Sequence, residues 1–495
     1  MAVATSLARV LGLFREILSA KTFGTTAIYD AFLLAFMIPN FFRGLLAEGA
    51  LSSAFIPVYT EYLSLPEKRS QAEEVVNLCF TLSFLVTTGL YLVILIAVGF
   101  ILKFLPETSR WFNTFLLLRF TFPYLIFVSL SALSMGVLHA HKHFFWPALS
   151  PIVLDLAWIG ALLWLCPLMG NSLERQILGL GAGVLVGGLG QFLLQWPMVK
   201  KKSGSFHLRT HFGHPALRQM GRLLAPVIIG VAVGPINLLV DYSLAHFLSS
   251  GMVSSLWYAT RLYQLPLGIF AISISTATLP WLAQQKTEGN LPALASSLVS
   301  SLSLVFAILL PCSFGLILLR KEIISFLFQR GMFSSLSVEA TAFALGFYAL
   351  GLIAYGAISV LTRAFYAFQD TKTPVQVGVI SIGLNFLLDI GLMRFLRQGG
   401  IALSTTLVGF GNFLLLLFLF RRKHLPLKLN SLFSYLGRIG LASLGSGLVL
   451  ALLRRWAIAR LHLSILLIAC IIATATVYLF LLVGTGYFKV QPERK

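Results

Sequence analysis

The chain has 495 residues, of which 58% are hydrophobic and only 11% are charged, and its mean hydropathy is +0.88. Soluble domains carry about 25% charged residues, so this composition excludes an ordinary soluble enzyme or binding module. In a soluble protein the net charge of +20 would suggest nucleic acid. Here much of the charge lies in loops, where it sets orientation across a membrane, and we expect no nucleic-acid partner.

Fourteen segments are apolar and long enough to cross about 30 Å of hydrocarbon as helices. They are continuously apolar rather than alternating, which is typical of membrane helices and not of barrel strands. In chain order they are 1–22, 29–60, 75–102, 115–140, 147–168, 177–199, 220–248, 253–283, 296–319, 340–367, 375–396, 400–420, 432–453 and 462–486. The sequence therefore predicts an all-α polytopic membrane protein with 14 transmembrane helices.

Basic clusters follow the even-numbered segments. They are Lys200, Lys201, Lys202, Arg209, Arg218 and Arg222, then Arg421, Arg422, Lys423 and Lys428. Loops on the cytoplasmic side of a membrane carry an excess of lysine and arginine. This pattern predicts that both termini are cytoplasmic.

Proline positions suggest two related halves. Three landmarks recur at offsets of 227, 227 and 223: Pro39 with Pro266, Pro147 with Pro374, and SSAFIP (52–57) with STATLP (275–280). An even number of spans per half makes such a repeat parallel. We predict a six-helix N-lobe at 1–199, a basic cytoplasmic linker at 200–222, a six-helix C-lobe at 223–422, and an additional C-terminal helix pair at 423–495.

Charged residues concentrate in the first two spans. They are Arg9, Arg15, Asp30, Arg43 and Glu48, and Arg261 lies early in the eighth span. One charge at mid-bilayer costs about 2.5–3.5 kcal/mol, so four arginines would cost roughly 10 kcal/mol if they faced lipid. Ser6, Arg9 and Arg15 follow one face of the first helix.

These arginines therefore either line a hydrated cavity or are neutralised, by snorkelling or by pairing with Asp30 or Glu48. The planar guanidinium binds phosphate through two donors at once. Four arginines spread over both halves favour a cationic cavity for a phosphorylated substrate.

A second group is acidic and polar. Asn385 and Asp389 lie four residues apart on one helix face, Asp241 lies within the seventh span, and Thr405 lies early in the twelfth. Carboxylate, amide and hydroxyl oxygens suit a hard cation. An interhelical hydrogen-bond network explains the same residues, and both interpretations remain open.

Five stretches carry a family resemblance. They are ARVLGLFRE (8–16), YDAFLLAFMIPNFFRGLLAEGALSSAFIPVYTEY (29–62), WYATRLYQLPLGIF (257–270), LFQRGMF (327–333) and FYAFQDTKTP (365–374). They resemble the MurJ (MviN) lipid II flippases of the multidrug/oligosaccharidyl-lipid/polysaccharide exporter superfamily. The resemblance covers nearly the whole chain, and its second stretch is long and specific.

The resemblance implies a transporter rather than an enzyme. Such proteins move lipid II, an undecaprenyl-pyrophosphate-linked peptidoglycan precursor, across the bacterial inner membrane by alternating access through a cationic cavity. The last two helices form a groove for the lipid tail. By motif match, the cavity residues are Arg9, Arg15, Arg43 and Arg261, with Ser6, Asp30 and Glu48 beside them.

The family also implies a sodium site, which some members use for coupling. Its positions here are Asp241, Asn385, Asp389, Thr405 and the carbonyl of Ile401. One departure concerns Thr260, which stands beside Arg261 where many members carry Asp. This departure changes the ion pairs expected around that arginine.

We expect a monomer with lipid II and membrane lipids as its partners, no cofactor other than a coupling Na⁺, and a cycle that is reset either by the membrane potential or by a sodium gradient. Two alternatives stay open. A drug–cation antiporter of the same superfamily would need an acidic or aromatic cavity, which four arginines disfavour. A membrane-embedded transferase acting on polyprenyl-diphosphate lipids would need a reachable catalytic acid or base, such as Asp30 or Glu48.

Overall fold

The computed structural model describes residues 2–45, 51–427, 429–457 and 462–487. All regular elements within these ranges are helices, and no strand occurs there. The predicted all-α class is confirmed for this part of the chain.

Nineteen α-helices follow one another along the described residues. They are α1 Ala2–Phe23, α2 Ala27–Arg43, α3 Leu51–Ser64, α4 Ala72–Phe104, α5 Arg110–Thr121, α6 Tyr124–Ala140, α7 Phe145–Gly160, α8 Cys166–Leu168, α9 Leu173–Ser203, α10 Pro215–His246, α11 Met252–Pro266, α12 Ile272–Thr287, α13 Leu291–Leu318, α14 Arg320–Phe328, α15 Ser335–Ala367, α16 Lys372–Leu396, α17 Gln398–Lys423, α18 Leu429–Ala457 and α19 Leu463–Gly484. A short 3₁₀ turn, Arg69–Gln71, precedes α4, and π-helical turns at Ala161–Leu165 and Leu267–Ala271 join α7 to α8 and α11 to α12.

Ten helical segments among the described residues are long and apolar enough to cross a membrane. The count becomes eleven if the bent pair α5 and α6 forms one span. The chain is therefore a multi-span membrane protein. The count of fourteen and the two-lobe layout stay predictions.

Several predicted spans are interrupted by prolines. The segment predicted at 115–140 is bent by 43° between α5 and α6, where Pro123 follows the last residues of α5. Proline removes a backbone donor and crowds the preceding turn, so a helix bends or ends there. Likewise, α11 ends at Pro266 and continues through a π-helical turn into α12.

The chain divides into two compact units. The first comprises Met1–Ser254 and Arg330–Phe333, and the second comprises Ser255–Gln329 and Ser334–Lys495. The domain boundaries drawn from the sequence, at 199, 222 and 422, stay predictions.

Aromatic side chains fill the interior of the first unit. Phe32 and Phe36 of α2 both pack edge-on against Trp158 of α7, with ring centroids 5.6 and 5.4 Å apart. Tyr124 of α6 lies 5.6 Å from Phe36. Lipid tails are as apolar as these rings, so close packing rather than exclusion from water holds such helices together.

The turn Arg330–Phe333 belongs to the first unit, although it lies about 300 residues after α1 in the sequence. The Met332 amide donates to the carbonyl of Lys21 at 2.9 Å, next to the α1–α2 turn. Gly24 and Gly331 have φ of +56° and +55°. A Cβ on Gly24 would lie 2.3 Å from the Met332 carbonyl oxygen, and one on Gly331 would lie 2.3 Å from that of Lys21. Only glycine allows both the left-handed backbone and this approach.

In the second unit, two side-chain hydrogen bonds join α18 and α19 to neighbouring helices. The Tyr478 hydroxyl donates to the carbonyl of Ala307 at 2.5 Å. Arg454 Nε donates to Glu322 Oε1 at 2.7 Å. These contacts fix the helix pair within its unit, whereas its role as a lipid-tail groove stays a prediction.

Candidate functional site

Arg15 of α1 lies within a buried cluster of charges. Its Nη1 donates to Asp155 Oδ1 at 2.7 Å, and its Nη2 donates to Glu16 Oε1 at 2.6 Å. Its guanidinium carbon lies 4.8 Å from the ring centroid of Trp158, which donates to Ser19 Oγ at 3.1 Å. Two carboxylates therefore flank one guanidinium in a place where an unpaired charge would be costly.

Arg43 and Arg9 occupy less enclosed positions of the same unit. Arg43 is half-buried in the last turn of α2, where its Nε donates to Asn40 Oδ1 at 2.7 Å. Because Asn40 lies three residues earlier, the α2 helix itself orients the guanidinium. Arg9 is exposed on α1, about a turn and a half before Arg15.

Arg261 belongs to the second unit. Its guanidinium carbon lies 4.1 Å from the ring centroid of Trp257, one helical turn earlier in α11. Arginine stacks well on an indole ring because the ring face is negative. The neighbouring position 260 is a buried threonine rather than a carboxylate.

Asp30 caps the start of another helix. Its Oδ2 accepts from the Gly251 amide at 2.6 Å, and its Oδ1 accepts from the amide and hydroxyl of Ser254 at 2.8 and 2.7 Å. Only 3% of the residue is accessible. The carboxylate satisfies free amides at the start of α11 and lies at the positive end of that helix dipole.

Two predicted cavity residues lie outside the described part of the chain. Glu48 falls in the range 46–50, and the side chain of Ser6 is likewise outside it. The cavity roles of Arg9, Arg15, Arg43, Arg261, Ser6, Asp30 and Glu48 stay predictions.

Polar residues of α16 and α17 lie close together in the second unit, and most of them are buried. Asn385 Nδ2 donates to Asp389 Oδ2 at 2.9 Å, and Ser404 Oγ donates to the Asn385 carbonyl at 3.1 Å. The Thr405 hydroxyl donates to the Ile401 carbonyl at 3.0 Å. Asp389 is fully buried, and the Ser404 bond joins α17 to α16. The choice between a hydrogen-bond network and a cation site at Asp241, Asn385, Asp389 and Thr405 stays a prediction.

These residues fit a sodium ion by their chemistry. Asn385, Asp389, Ile401 and Thr405 supply amide, carboxylate, carbonyl and hydroxyl oxygens, the ligands that hard cations prefer. Asp241 is buried in α10 and belongs to the first unit. Among the described residues, no three His, Cys, Asp or Glu side chains group together as a metal site.

The sequence reasoning missed the counter-ions of Arg15. Asp155 is the only charged residue between 145 and 168, and a lone carboxylate in an apolar run was the signal that could have found it. Glu16 is adjacent to Arg15 in the sequence, although neighbours in a helix point about 100° apart. The third missed residue is Ser404, which the pattern of α17 alone does not distinguish from a packing serine.

Comparison with known proteins identifies the family. The family model described as lipid II flippase MurJ matches residues 19–471. The probable lipid II flippase MurJ of Vibrio cholerae is 34% identical over 83% of this chain and 80% of its own length. That of Rickettsia prowazekii is 32% identical over 98% and 96%.

Solved structures agree with this result. A structure titled lipid II flippase MurJ, inward closed conformation, covers 97% of both chains with a TM-score of 0.79 and 29% identity. An inward-facing multidrug transporter of the MATE family aligns over 84% of this chain with a TM-score of 0.65 and 15% identity, which shows a shared fold alone. The chain belongs to the MurJ lipid II flippase family.

Proposed function

We propose that this protein moves lipid II from the inner to the outer leaflet of the bacterial inner membrane. The observation that carries the proposal is the family match over residues 19–471, joined by relatives named lipid II flippase at 32–34% identity. The protein is a transporter and leaves its lipid chemically unchanged. Its partners are lipid II and the surrounding membrane lipids.

The arginines supply the chemistry for the diphosphate. Arg9, Arg15 and Arg43 of the first unit and Arg261 of the second are permanently charged, and each guanidinium can bind two phosphate oxygens at once. Trp257 and Asn40 hold Arg261 and Arg43 in fixed orientations, which reduces the entropy lost when an anion binds. The proposal includes alternating access through a cationic cavity, with the lipid tail along α18 and α19.

Arg15 already has two partners. Asp155 and Glu16 each accept from one terminal nitrogen of its guanidinium, so a diphosphate would compete with two carboxylates for this side chain. These carboxylates keep the arginine oriented before substrate arrives. Their competition also weakens the bound state, which favours release after transport.

Sodium is the proposed coupling ion. Asn385, Asp389, Ile401 and Thr405 would hold it through oxygens, and Asp241 is proposed as a further ligand. The ion would supply an electrochemical gradient that resets the transporter. A monomer with both termini in the cytoplasm completes the proposal.

Complementation tests the function. A strain depleted of its own lipid II flippase should grow when it expresses this chain, and should fail to grow with Arg43→Ala inserted at the same level. Arg175→Ala, an exposed arginine at the start of α9, is the matched control and should support growth. Mass analysis of the extracted lipid separates a flippase from a transferase, because only a transferase changes the mass. Full growth with Arg43→Ala would contradict the arginine role.

A further inference from the structure

The long helix α4 changes its surroundings along its length. At 33 residues it extends about 50 Å, about 20 Å more than the hydrocarbon layer. Its first ten residues, 72–81, are mostly buried in protein. From Leu82 to Phe104 most side chains are apolar and at least partly exposed, such as Val93 at 62% and Ile96 at 72%. These 23 residues span about 34 Å, so the lipid-facing part of α4 begins close to Thr81.

The segment between α9 and α10 is fixed against the first ten residues of α4, which precede its lipid-facing part. Asn77 Nδ2 donates to the Ser205 carbonyl at 3.4 Å, and Asn77 Oδ1 accepts from the His207 amide at 3.2 Å. The Arg209 amide donates to Thr81 Oγ1 at 3.2 Å. The segment therefore advances along α4 toward the lipid-facing part and reaches its edge at Arg209. We call residues 204–213 the strap.

One aromatic side chain anchors the strap to the protein. The ring of Phe206 lies 6.2 Å from that of Phe80 and 6.0 Å from that of Trp196. Together with the three hydrogen bonds to the strap backbone, this contact fixes the strap against α4, while Phe206 itself stays 39% exposed. We call the exposed side chains of the other strap residues its outer face.

The outer face combines apolar and basic groups. Leu208 is 62% exposed and Phe212 is 41% exposed. His207, Arg209 and His211 alternate with them and are also exposed. The end of α9 adds three exposed lysines, Lys200, Lys201 and Lys202. Apolar side chains beside cations match the headgroup layer of a membrane that contains anionic phospholipid.

We propose that the strap binds this headgroup layer, with Leu208 and Phe212 inserted among the lipids and with Lys200–Lys202 and Arg209 on their phosphates. Each basic residue near an anionic surface contributes attraction that falls off within a Debye length. A loop whose positive charge only sets the orientation of the protein in the membrane needs neither a fixed backbone nor exposed apolar side chains. The strap has both features. The proposal requires only that α4 spans the membrane, and it does not depend on which lipid is transported.

A fluorescent probe on Leu208→Cys tests the position of the strap. Cys79, Cys166 and Cys470 are buried, so replacing Cys312 by Ala leaves a single accessible thiol. The full-length protein is placed in nanodiscs of phosphatidylcholine with or without phosphatidylglycerol. Quenching by a lipid with a headgroup spin label is then compared with quenching by aqueous iodide. The matched control is Leu65→Cys, an exposed leucine on the turn before α4.

We expect the Leu208 probe to be quenched several-fold more by the spin-labelled lipid than the Leu65 probe, and phosphatidylglycerol to enlarge this difference. Neutralising Lys200, Lys201, Lys202 and Arg209 to Gln should remove the effect of phosphatidylglycerol, whereas Arg218→Gln with Arg222→Gln should preserve it. Iodide quenching of the Leu208 probe equal to that of the Leu65 probe in both lipids would overturn the proposal. That result would instead favour an acidic protein as the partner of this surface. A phosphatidylglycerol effect that survives the fourfold neutralisation would also overturn it.

Discussion

At the scale of single residues, the buried charges of the first unit are held by specific partners. Arg15 lies between two carboxylates, and Asp30 accepts three hydrogen bonds at the start of α11. A buried ion pair is weak evidence for stability, yet removing one partner leaves a charge that the surroundings cannot solvate. The arrangement therefore predicts which substitutions the protein tolerates.

Asp155→Ala should destabilise the first unit, because Arg15 then loses one of its two carboxylate partners. Breaking a buried pair costs about 3–5 kcal/mol when the other charge is left alone, and the remaining carboxylate of Glu16 should keep the loss below that range. Asp155→Asn keeps an oxygen acceptor for Arg15 Nη1 and should cost less. The measurement is thermal unfolding of each purified variant in detergent. Equal thermal unfolding midpoints for wild type and Asp155→Ala would show that Asp155 does not stabilise the first unit.

Asp30 should be sensitive even to a change of one atom. In Asp30→Asn an amide NH₂ replaces an oxygen, so that a donor faces either the Gly251 amide or the donors of Ser254. We expect Asp30→Asn and Asp30→Ala to lower stability and transport alike, whereas Ser254→Ala removes one of these three bonds and should be mild. Unfolding in detergent and growth complementation measure the two effects. If Asp30→Asn behaves as wild type, the cap is not a constraint on the fold.

At the scale of helices and turns, the close contact between the α1–α2 turn and Arg330–Phe333 depends on two glycines. A hydrogen bond from the Met332 amide to the Lys21 carbonyl joins these two segments, which are distant in sequence.

The loop that follows α15 is fixed by side-chain hydrogen bonds instead. Asp370 accepts from the Thr373 amide at 2.9 Å and from its hydroxyl at 2.6 Å, and His424 lies 3.2 Å away.

Gly24→Ala and Gly331→Ala should each destabilise the protein strongly, because the new Cβ would meet a carbonyl oxygen of the other segment. The matched control is Gly289→Ala, which has φ of +72° but nothing within 4 Å of the added Cβ. Gly289→Ala should cost only the left-handed strain of about 1–2 kcal/mol. Unfolding midpoints measure all three. Equal losses for the three variants would show that strain, and not the contact, sets the cost.

The Asp370 loop should weaken in acid. Burial acts to raise the pKa of Asp370, but hydrogen bonds from Thr373 and His424 outweigh it and lower the pKa below its ordinary value. The carboxylate thus stabilises the fold fully above the ordinary pKa of about 3.9, and this contribution is lost as the pH falls through the lower folded value. Hydrogen exchange at the start of α16 measures the opening.

Asp370→Asn is the control for that effect. It cannot titrate, so its exchange at the start of α16 should be faster than that of wild type near neutral pH, and the two should converge in acid. A constant difference between the two proteins down to low pH would exclude Asp370 as the titrating group.

At the scale of the whole molecule, the sequence predicts the fold class better than the bends and breaks of individual helices. Apolar run length was enough to predict helices, since a backbone in lipid must satisfy its own hydrogen bonds. It could not predict the bend at Pro123 or the π-helical turn after Pro266, because proline allows several local solutions.

The candidate site shows the same limit. Charge in an apolar run identified Arg15 and Asp30, because its energetic cost is large whatever the fold. Each also has a partner in a distant segment, Asp155 for Arg15 and Ser254 for Asp30. Sequence spacing within one helix carries no information on such contacts, so tertiary structure was needed to find them.

Lipid II exposure in cells tests the central claim most directly. Cells that depend on this protein are rapidly depleted of it, and an enzyme that cannot cross the membrane then probes lipid II in the outer leaflet. We predict that lipid II accumulates and is shielded from the probe, that the wild-type chain restores its exposure, and that Arg43→Ala does not. Unchanged exposure after depletion, in cells with no second flippase, would contradict the assignment of lipid II as the substrate.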